Sequence, residues 1–326
     1  MNRRWLFLPL LFIALLPFRA PAPLYYSPSQ GWYYAPYGQK AAWVRQRADQ
    51  ELAIAEQAFA NGDYSLALKA SRRVVNVWPL SDYAPRAQYL MGQSLEMQNR
   101  DQLAFIAYQT IVQKFPSSPA YHAVLWRQFD IANRFLNGEF FRIWGILPLY
   151  RSMDQTAALF GQVVTNGPYS DIAPYAQFQI AAAREKQKDY EDAVAAYQTA
   201  ADRYYNQPLI AASALYGEAL NYQKQAETAE YDQGTAEKAI ASYTDFIALY
   251  PSDPRVPRAQ KAMDDLRAVR VSGDFKIAQF YLRNHQWAGA VVYYDAILQL
   301  DPNSPYAAPA RREIELLKPR LRTAFN

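Results

Sequence analysis

The side chains that could carry chemistry are few and scattered. The 326 residues hold two histidines, His122 and His285, and no cysteine. A three-histidine metal site is therefore excluded, as are thiolate metal sites, disulfides and cysteine nucleophiles. The chain has no H-E-x-x-H, no G-x-S-x-G elbow, no phosphate-binding loop and no dinucleotide glycine set. Carboxylates such as Glu185, Glu191, Asp192, Asp264 and Asp265 stand at the spacing of solvated helix surface. The reading is of a non-enzymatic chain with no catalytic residue, no metal and no cofactor. A net charge of +4 is small for this length and gives no preference for nucleic acid. Hydrophobic content of 51% with 20% charged residues is ample for a folded core.

The elements that would position binding residues announce themselves through a repeated phrase. Residues 79–89 read Pro-Leu-Ser-Asp-Tyr-Ala-Pro-Arg-Ala-Gln-Tyr, and residues 168–178 read Pro-Tyr-Ser-Asp-Ile-Ala-Pro-Tyr-Ala-Gln-Phe. Weaker echoes begin at Pro116, Pro251 and Pro302. The first proline stops a helix, Ser or Asp offers an N-cap, and the second proline suits the first turn of the next helix. A helix stop and start repeated along a chain marks a helical repeat protein.

Within each pair of helices a second pattern recurs. A small residue is followed four later by an aromatic and eight after that by a proline: Ala104, Tyr108 and Pro116; Ala239, Tyr243 and Pro251; Ala290, Tyr294 and Pro302. Thr156, Phe160 and Pro168 fit with one substitution. Ala67 with Ser71 lacks the aromatic, and Ala193 with Tyr197 lacks the proline in register. The spacing of four puts both residues on one helix face, so these are expected core positions. First helices carry small residues for close packing at Gly92, Ala181 and Gly217.

The ends and the interruptions differ from the repeats. Residues 1–22 have a basic start, an apolar run from Trp5 to Phe18 and an A-x-A exit at Ala20 and Ala22. This is the layout of a secretory signal, either cleaved or kept as a short anchor, since Pro23 disfavours cleavage. Residues 23–43 are rich in Tyr, Pro and Gly and read as an extended arm, packed back on the first helices or serving as a tether. The repeat region is expected over 44–326, with an insertion at 137–152. Phe140, Phe141, Ile143, Trp144, Ile146 and Leu147 make that insertion apolar. It either folds back over the stack or forms a patch for a membrane or partner.

The helical pattern resembles the tetratricopeptide repeat, with Gly92, Ala104, Tyr108 and Pro116 at that family's glycine, alanine, aromatic and proline positions. The expected fold is all-α, a right-handed superhelical solenoid of about five to six helical pairs with a capping helix from Pro309 to about Thr323. Residues 236–306 are more specific. Tyr250-Pro-Ser-Asp, a further helix, and then Ala278, Phe280, Tyr281, Trp287, Ala288 and Ala290 resemble the BamD-like outer-membrane assembly factors.

That resemblance implies an exported, periplasmic scaffold at the outer membrane that helps to assemble β-barrel proteins. Its implied partners are a barrel-forming protein and unfolded outer-membrane protein segments, with peripheral membrane contact and no nucleic acid. It implies a peptide groove at Arg86, Tyr89, Gln93, Tyr175 and Phe178, and a partner-binding last unit at Phe275, Gln279 and Arg283. The chain departs from the family in having no cysteine to lipidate, so the tether must differ. The alternative is another exported repeat scaffold that coordinates envelope or cell-wall proteins.

Overall fold

Prolines and short polar turns set the helix ends. In the computed structural model, which describes residues 24–27, 31–34, 44–143, 147–228 and 233–324, thirteen helices follow one another with these turns between them. The chain forms two compact units. The first comprises residues 1–131 with 141–149, and the second residues 132–140 with 150–326.

The first unit begins with a hairpin in the aromatic arm. Strand β1 (Leu24–Ser27) pairs antiparallel with β2 (Gly31–Tyr34), so that Tyr25 faces Tyr33 and Tyr26 faces Trp32. The arm therefore closes on itself over its described residues. Helices α1 (Ala48–Ala60), α2 (Tyr64–Val77), α3 (Ala84–Glu96) and α4 (Asp101–Lys114) follow, each packed on the next. Helix α5 (Tyr121–Leu136) is divided by the unit boundary. Leu52, Ala55, Ala70, Val74, Ala87 and Leu90 share one core between α1, α2 and α3. The start of α1 is pinned by a charge. The Glu51 carboxylate, fully buried, accepts from the Arg45 backbone N–H at 2.6 Å, and Arg73 Nη2 donates to the Arg45 carbonyl at 3.3 Å. Burial pushes the Glu51 carboxyl above the usual range despite these partners.

The second unit holds α6 (Met153–Asn166), α7 (Ala173–Gln187), α8 (Tyr190–Arg203), α9 (Pro208–Thr228), α10 (Gln233–Leu249), α11 (Val256–Arg283), α12 (Trp287–Leu300) and α13 (Ala307–Ala324). Each packs on its neighbour in sequence. Among the described residues no helix is long and apolar enough to cross a membrane. The protein is all-α in its architecture, built of tetratricopeptide-type helical pairs, with α13 at the C-terminal end.

The small-and-aromatic pattern is the core. Ala104, Tyr108, Thr156, Phe160, Ala239, Tyr243 and Ala290 have no exposed surface, and Tyr294 and Tyr197 are buried. The small residue admits the neighbouring helix and the ring fills the space beside it. The approach is close at Gly92, where an added Cβ would run into the Tyr108 ring, and at Gly217, where it would lie 2.8 Å from the Tyr197 ring.

Two sequence expectations need correction. The serines of the repeated phrase do not cap the next helix. Ser81 Oγ donates instead to the Trp78 carbonyl at 2.8 Å, and Ser170 Oγ to the Gly167 carbonyl at 2.6 Å, tying off the helix just ended. The second prolines do sit in the first turn of α3, α7 and α11, where no N–H is missed. Side-chain capping falls in other turns, where Asp63 accepts from Leu66 N–H and Asp189 from Asp192 N–H. The second correction concerns the linking helix and the first helix of the last pair. They are one helix, α11, of 28 residues. Between Leu266 and Phe275 there is no proline and a single glycine, Gly273, which costs only about 1 kcal/mol in a helix interior and does not stop it. Its first half packs Ala259, Met263 and Leu266 into one core, and its second half packs Val271 and Ala278 into the next.

Candidate protein-binding faces

The first helices of successive pairs lie side by side, α1 with α3 in the first unit and α7 with α9 in the second. Ion pairs join them across their shared face. Glu56 on α1 pairs with Arg86 on α3 at 2.6 Å, and Glu96 on α3 with Arg127 on α5 at 3.2 Å. In the second unit Glu185 on α7 pairs with Lys224 on α9 at 2.6 Å. Each pair is a reach from one first helix to the next, which fixes their spacing more than it adds stability at exposed positions.

Glu185 is the most connected of these groups. Its carboxylate accepts from Lys224 Nζ, from Tyr197 OH at 3.0 Å and from Asn221 Nδ2 at 3.2 Å. Burial alone would raise its pKa, but the Lys224, Asn221 and Tyr197 hydrogen bonds together outweigh it and hold the carboxyl below the usual range. Tyr197 is pushed the other way, by burial first and then by the Glu185 charge. Beside this hub, Glu218 accepts from Gln198 Nε2 and Ser242 Oγ, both at 3.0 Å. Tyr243 OH donates to Gln223 at 2.8 Å. In the first unit Tyr108 holds the corresponding place. Its hydroxyl pKa is raised by burial and by the nearby Glu96 carboxylate. The Tyr197 and Tyr243 hydroxyls tie second helices to first helices and leave the first-helix face polar and ordered.

On this frame the expected binding residues divide. Tyr175, on α7, is 48% exposed and has no hydrogen-bond or ring partner among the described residues. Gln279 and Arg283, on α11, are exposed, and Gln93, on α3, is half-buried. Arg86 is exposed but already engaged with Glu56. Tyr89 and Phe178 are half-buried against core rings, Tyr89 at 5.7 Å from Tyr108 and Phe178 edge-on at 5.2 Å from Tyr197. Phe275 is half-buried in the same way and packs against the last core, its ring 5.7 Å from Tyr294 and 4.9 Å from Tyr306.

Sequence reasoning passed over two exposed aromatics. Trp126, on α5, is 48% exposed, and Phe280, on α11, is 56% exposed. A signal for Trp126 was present. Tyr89, Trp126 and Phe178 stand at the same distance past Pro79, Pro116 and Pro168, so all three share one register on their first helices. Phe280 lies beside Tyr281, which stacks on Tyr293 with ring centroids 5.5 Å apart.

The insertion is a second hairpin, with β3 (Phe141–Ile143) beside β4 (Leu147–Tyr150). Phe141 is 3% exposed, so it is a buried anchor and not part of an open apolar patch. In the first unit the Arg142 backbone N–H donates to Gln102 Oε1 at 2.6 Å. In the second unit Arg151 Nε donates to the Gly138 carbonyl at 2.7 Å, and its guanidinium covers the partly exposed Phe140 ring at 4.6 Å. The hairpin base is thus tied by backbone and cation–π contacts. Trp144 and Ile146, with the side chains of Ile143 and Leu147, lie outside the described residues.

Among the described residues no group of His, Cys, Asp or Glu side chains could hold a metal ion. His122 and His285 are exposed, and His285 sits in a turn with φ 59°. The face offers aromatic rings, amides and paired charges, the chemistry of protein recognition.

Comparison with known proteins fits that chemistry. Residues 151–300 match the family described as outer membrane lipoprotein, and residues 52–119 match the tetratricopeptide repeat. No curated protein matches the chain. Solved structures similar to it include the C-terminal part of a repeat-containing protein of Cytophaga hutchinsonii, 16% identical with TM-score 0.40, over 81% of this chain and 87% of that one. A tetratricopeptide protein of Parabacteroides merdae is 10% identical with TM-score 0.35, over 84% of this chain and 100% of that one. A thermophilic tetratricopeptide protein of Thermus thermophilus is 17% identical with TM-score 0.30, over 67% of this chain and 99% of that one.

Proposed function

The chain is a BamD-like tetratricopeptide-repeat protein and a protein-binding scaffold, and from this premise we propose that it serves the assembly of β-barrel proteins into the outer membrane. The observation that carries the proposal is the match of 151–300 to an outer membrane lipoprotein family, over the stretch that holds Tyr175, the Glu185 hub and the exposed part of α11. Tetratricopeptide families are generally non-catalytic scaffolds, and the first-helix faces described above suit extended or helical peptide segments.

In this reading unfolded outer-membrane protein segments lie along the first-helix faces, against Tyr175 in one unit and Trp126 in the other. A barrel-forming partner takes the last pair, at Phe280, Gln279 and Arg283. The protein is exported by its N-terminal segment and works in the periplasm at the outer membrane. The 326 residues hold no cysteine that could be lipidated. That same absence favours a second reading, an exported scaffold for other envelope or cell-wall proteins, since it departs from a lipoprotein family in its anchor.

Affinity purification from solubilised envelopes distinguishes the two. Recovery of a barrel-forming protein, together with lowered outer-membrane barrel levels on depletion, is the expected result. Normal barrel levels on depletion, with cell-wall enzymes as the recovered partners, would replace the first reading by the second.

A further inference from the structure

Turns that join one helical pair to the next share a backbone form. In each, a backbone N–H bonds to the carbonyl three residues earlier: Ser81 to Trp78, Ser118 to Phe115, Ser170 to Gly167, Gln207 to Tyr204, Asp253 to Tyr250 and Ser304 to Asp301. The third residue of the turn is polar at Ser117, Asn206, Ser252 and Asn303, so the backbone needs nothing apolar there. In the repeated phrase it is Leu80 and Tyr169. Among the described residues the four most exposed large apolar side chains are Tyr169, Leu80, Leu209 and Tyr205, at 99%, 98%, 84% and 78%. All four lie in these turns or in the first helical turn after one.

Three of them stand at one end of the second unit. Ala173, Tyr204 and Ile210 form a small core that joins the start of α7, the end of α8 and the start of α9. Tyr169 lies four residues before Ala173, Tyr205 follows Tyr204, and Leu209 precedes Ile210. One apolar set is thus buried as a foundation, and a second set projects beside it. The foundation is firm. Ser170 Oγ adds a bond of 2.6 Å to the Gly167 carbonyl, and Pro168 and Pro208 restrict the backbone next to the projecting residues.

Scattered single apolar side chains on a surface are ordinary, but three such residues around one small core are not scattered. Each stands nearly clear of the protein, so together they make prongs and not a flat face. A folded partner would need a pocket for each prong, whereas a fluid apolar phase closes around all of them. Tyrosine is favoured at the headgroup level of a bilayer and leucine just below it. The charges beside the prongs are Asp171, Asp202 and Arg203, which give no net attraction to anionic headgroups. We propose that Tyr169, Tyr205 and Leu209 insert into the interfacial layer of a zwitterionic lipid bilayer and rest this end of the second unit on a membrane. The contact requires a membrane nearby and not the assembly role, so it holds under either reading given above.

The chain has no cysteine, so a single one can be introduced and labelled with an environment-sensitive fluorophore. One label goes at Asn206→Cys, in the turn and with all three prongs intact. The reference label goes at Glu191→Cys, exposed in the first turn of α8 and at the far end of α7. The full chain is titrated with phosphatidylcholine–phosphatidylethanolamine vesicles, with and without nitroxide-bearing lipid. The label at 206 is expected to shift to the blue and to be quenched by the nitroxide, equally at low and high ionic strength, while the label at 191 does neither. Attachment through the N-terminal residues alone does not produce this local signal. Changing Tyr169, Tyr205 and Leu209 together to Ser should raise the lipid needed for half the shift about tenfold, with far-UV circular dichroism unchanged. If that triple change does not fold, Tyr169→Ser alone decides, with a rise of about twofold expected. The proposal is overturned if the label at 206 does not respond to vesicles, if both labels respond alike, or if the serine changes leave the titration unmoved. It is also overturned if the shift requires anionic lipid and is lost at high salt. Detergent-solubilised envelope proteins that shift the label where vesicles do not would overturn it too, making this end a protein dock.

Discussion

Two glycines in helix interiors should respond to alanine with opposite signs. Helix propensity alone favours alanine at both by about 1 kcal/mol. At Gly161, on α6, an added Cβ meets nothing within 4 Å, so propensity decides. At Gly217, on α9, the Cβ would lie 2.8 Å from two carbons of the Tyr197 ring. Comfortable carbon contacts are about 3.5–4.0 Å, so the ring or the helix must retreat by about 0.7 Å or more. Tyr197 cannot easily yield. It is 3% exposed, its hydroxyl is bound to Glu185 at 3.0 Å and its ring abuts Phe178. Overpacking of this kind costs about 1–3 kcal/mol, and loosening the tyrosine hydrogen bond adds about 1 kcal/mol. Gly217→Ala should therefore destabilise by about 1–3 kcal/mol net, while Gly161→Ala stabilises by about 0.5–1 kcal/mol. Urea unfolding followed at 222 nm, compared at equal m, measures both. Changing Tyr197 to Leu should relieve most of the cost at Gly217. A Gly217→Ala protein as stable as the unaltered one would refute the close-packing argument, as would an equal loss at Gly161.

Other consequences follow from the same contacts. Glu185→Gln should lower stability by about 2 kcal/mol near neutrality, since it weakens charge-assisted hydrogen bonds to Lys224, Asn221 and Tyr197. Because the folded carboxyl is held below its ordinary value, that stabilisation is present above the unfolded pKa and is lost as pH falls through the folded one. Urea midpoints of the two proteins should therefore converge in acid. Phe275→Ala should cost about 3 kcal/mol in stability as a core truncation. Tyr175→Ala and Phe280→Ala should leave stability within about 0.5 kcal/mol and weaken capture of envelope partners instead, as pull-downs from solubilised envelopes would read. Asp189→Ala should cost about 1 kcal/mol by removing the cap on α8, measured by the same urea unfolding.

Much of the architecture is legible in the chain because its signals are local. A proline ends a helix or begins one through its own ring and its own missing N–H, whatever lies across the fold. The small-and-aromatic spacing places Ala104 and Tyr108, or Ala239 and Tyr243, on one face by helix geometry alone, and both pairs are buried. The turn serine was misread because its hydroxyl can bond forward to a helix N–H or back to a carbonyl. Sequence type does not choose between them, and Ser81 and Ser170 bond back. The unbroken course of α11 was missed for a different reason. The family layout supplied a boundary there, whereas the residues from Leu266 to Phe275 contain no stop.

The faces that would bind partners were less legible. Phe275 and Phe280 lie on one helix and are chemically the same. Tyr294 and Tyr306 cover the first, and neither is near it in sequence. Arg86 could have been free for a ligand, but Glu56, from the preceding first helix, reaches it. The sequence by itself determined where helices begin and end, which residues form the cores and that no catalytic constellation is spelled out. Only the tertiary structure decided which aromatics stay open and which charges are already answered. Helix boundaries and core registers are fixed by forces acting within a few residues, while exposure and charge pairing are set by neighbours that the chain meets only after it has folded.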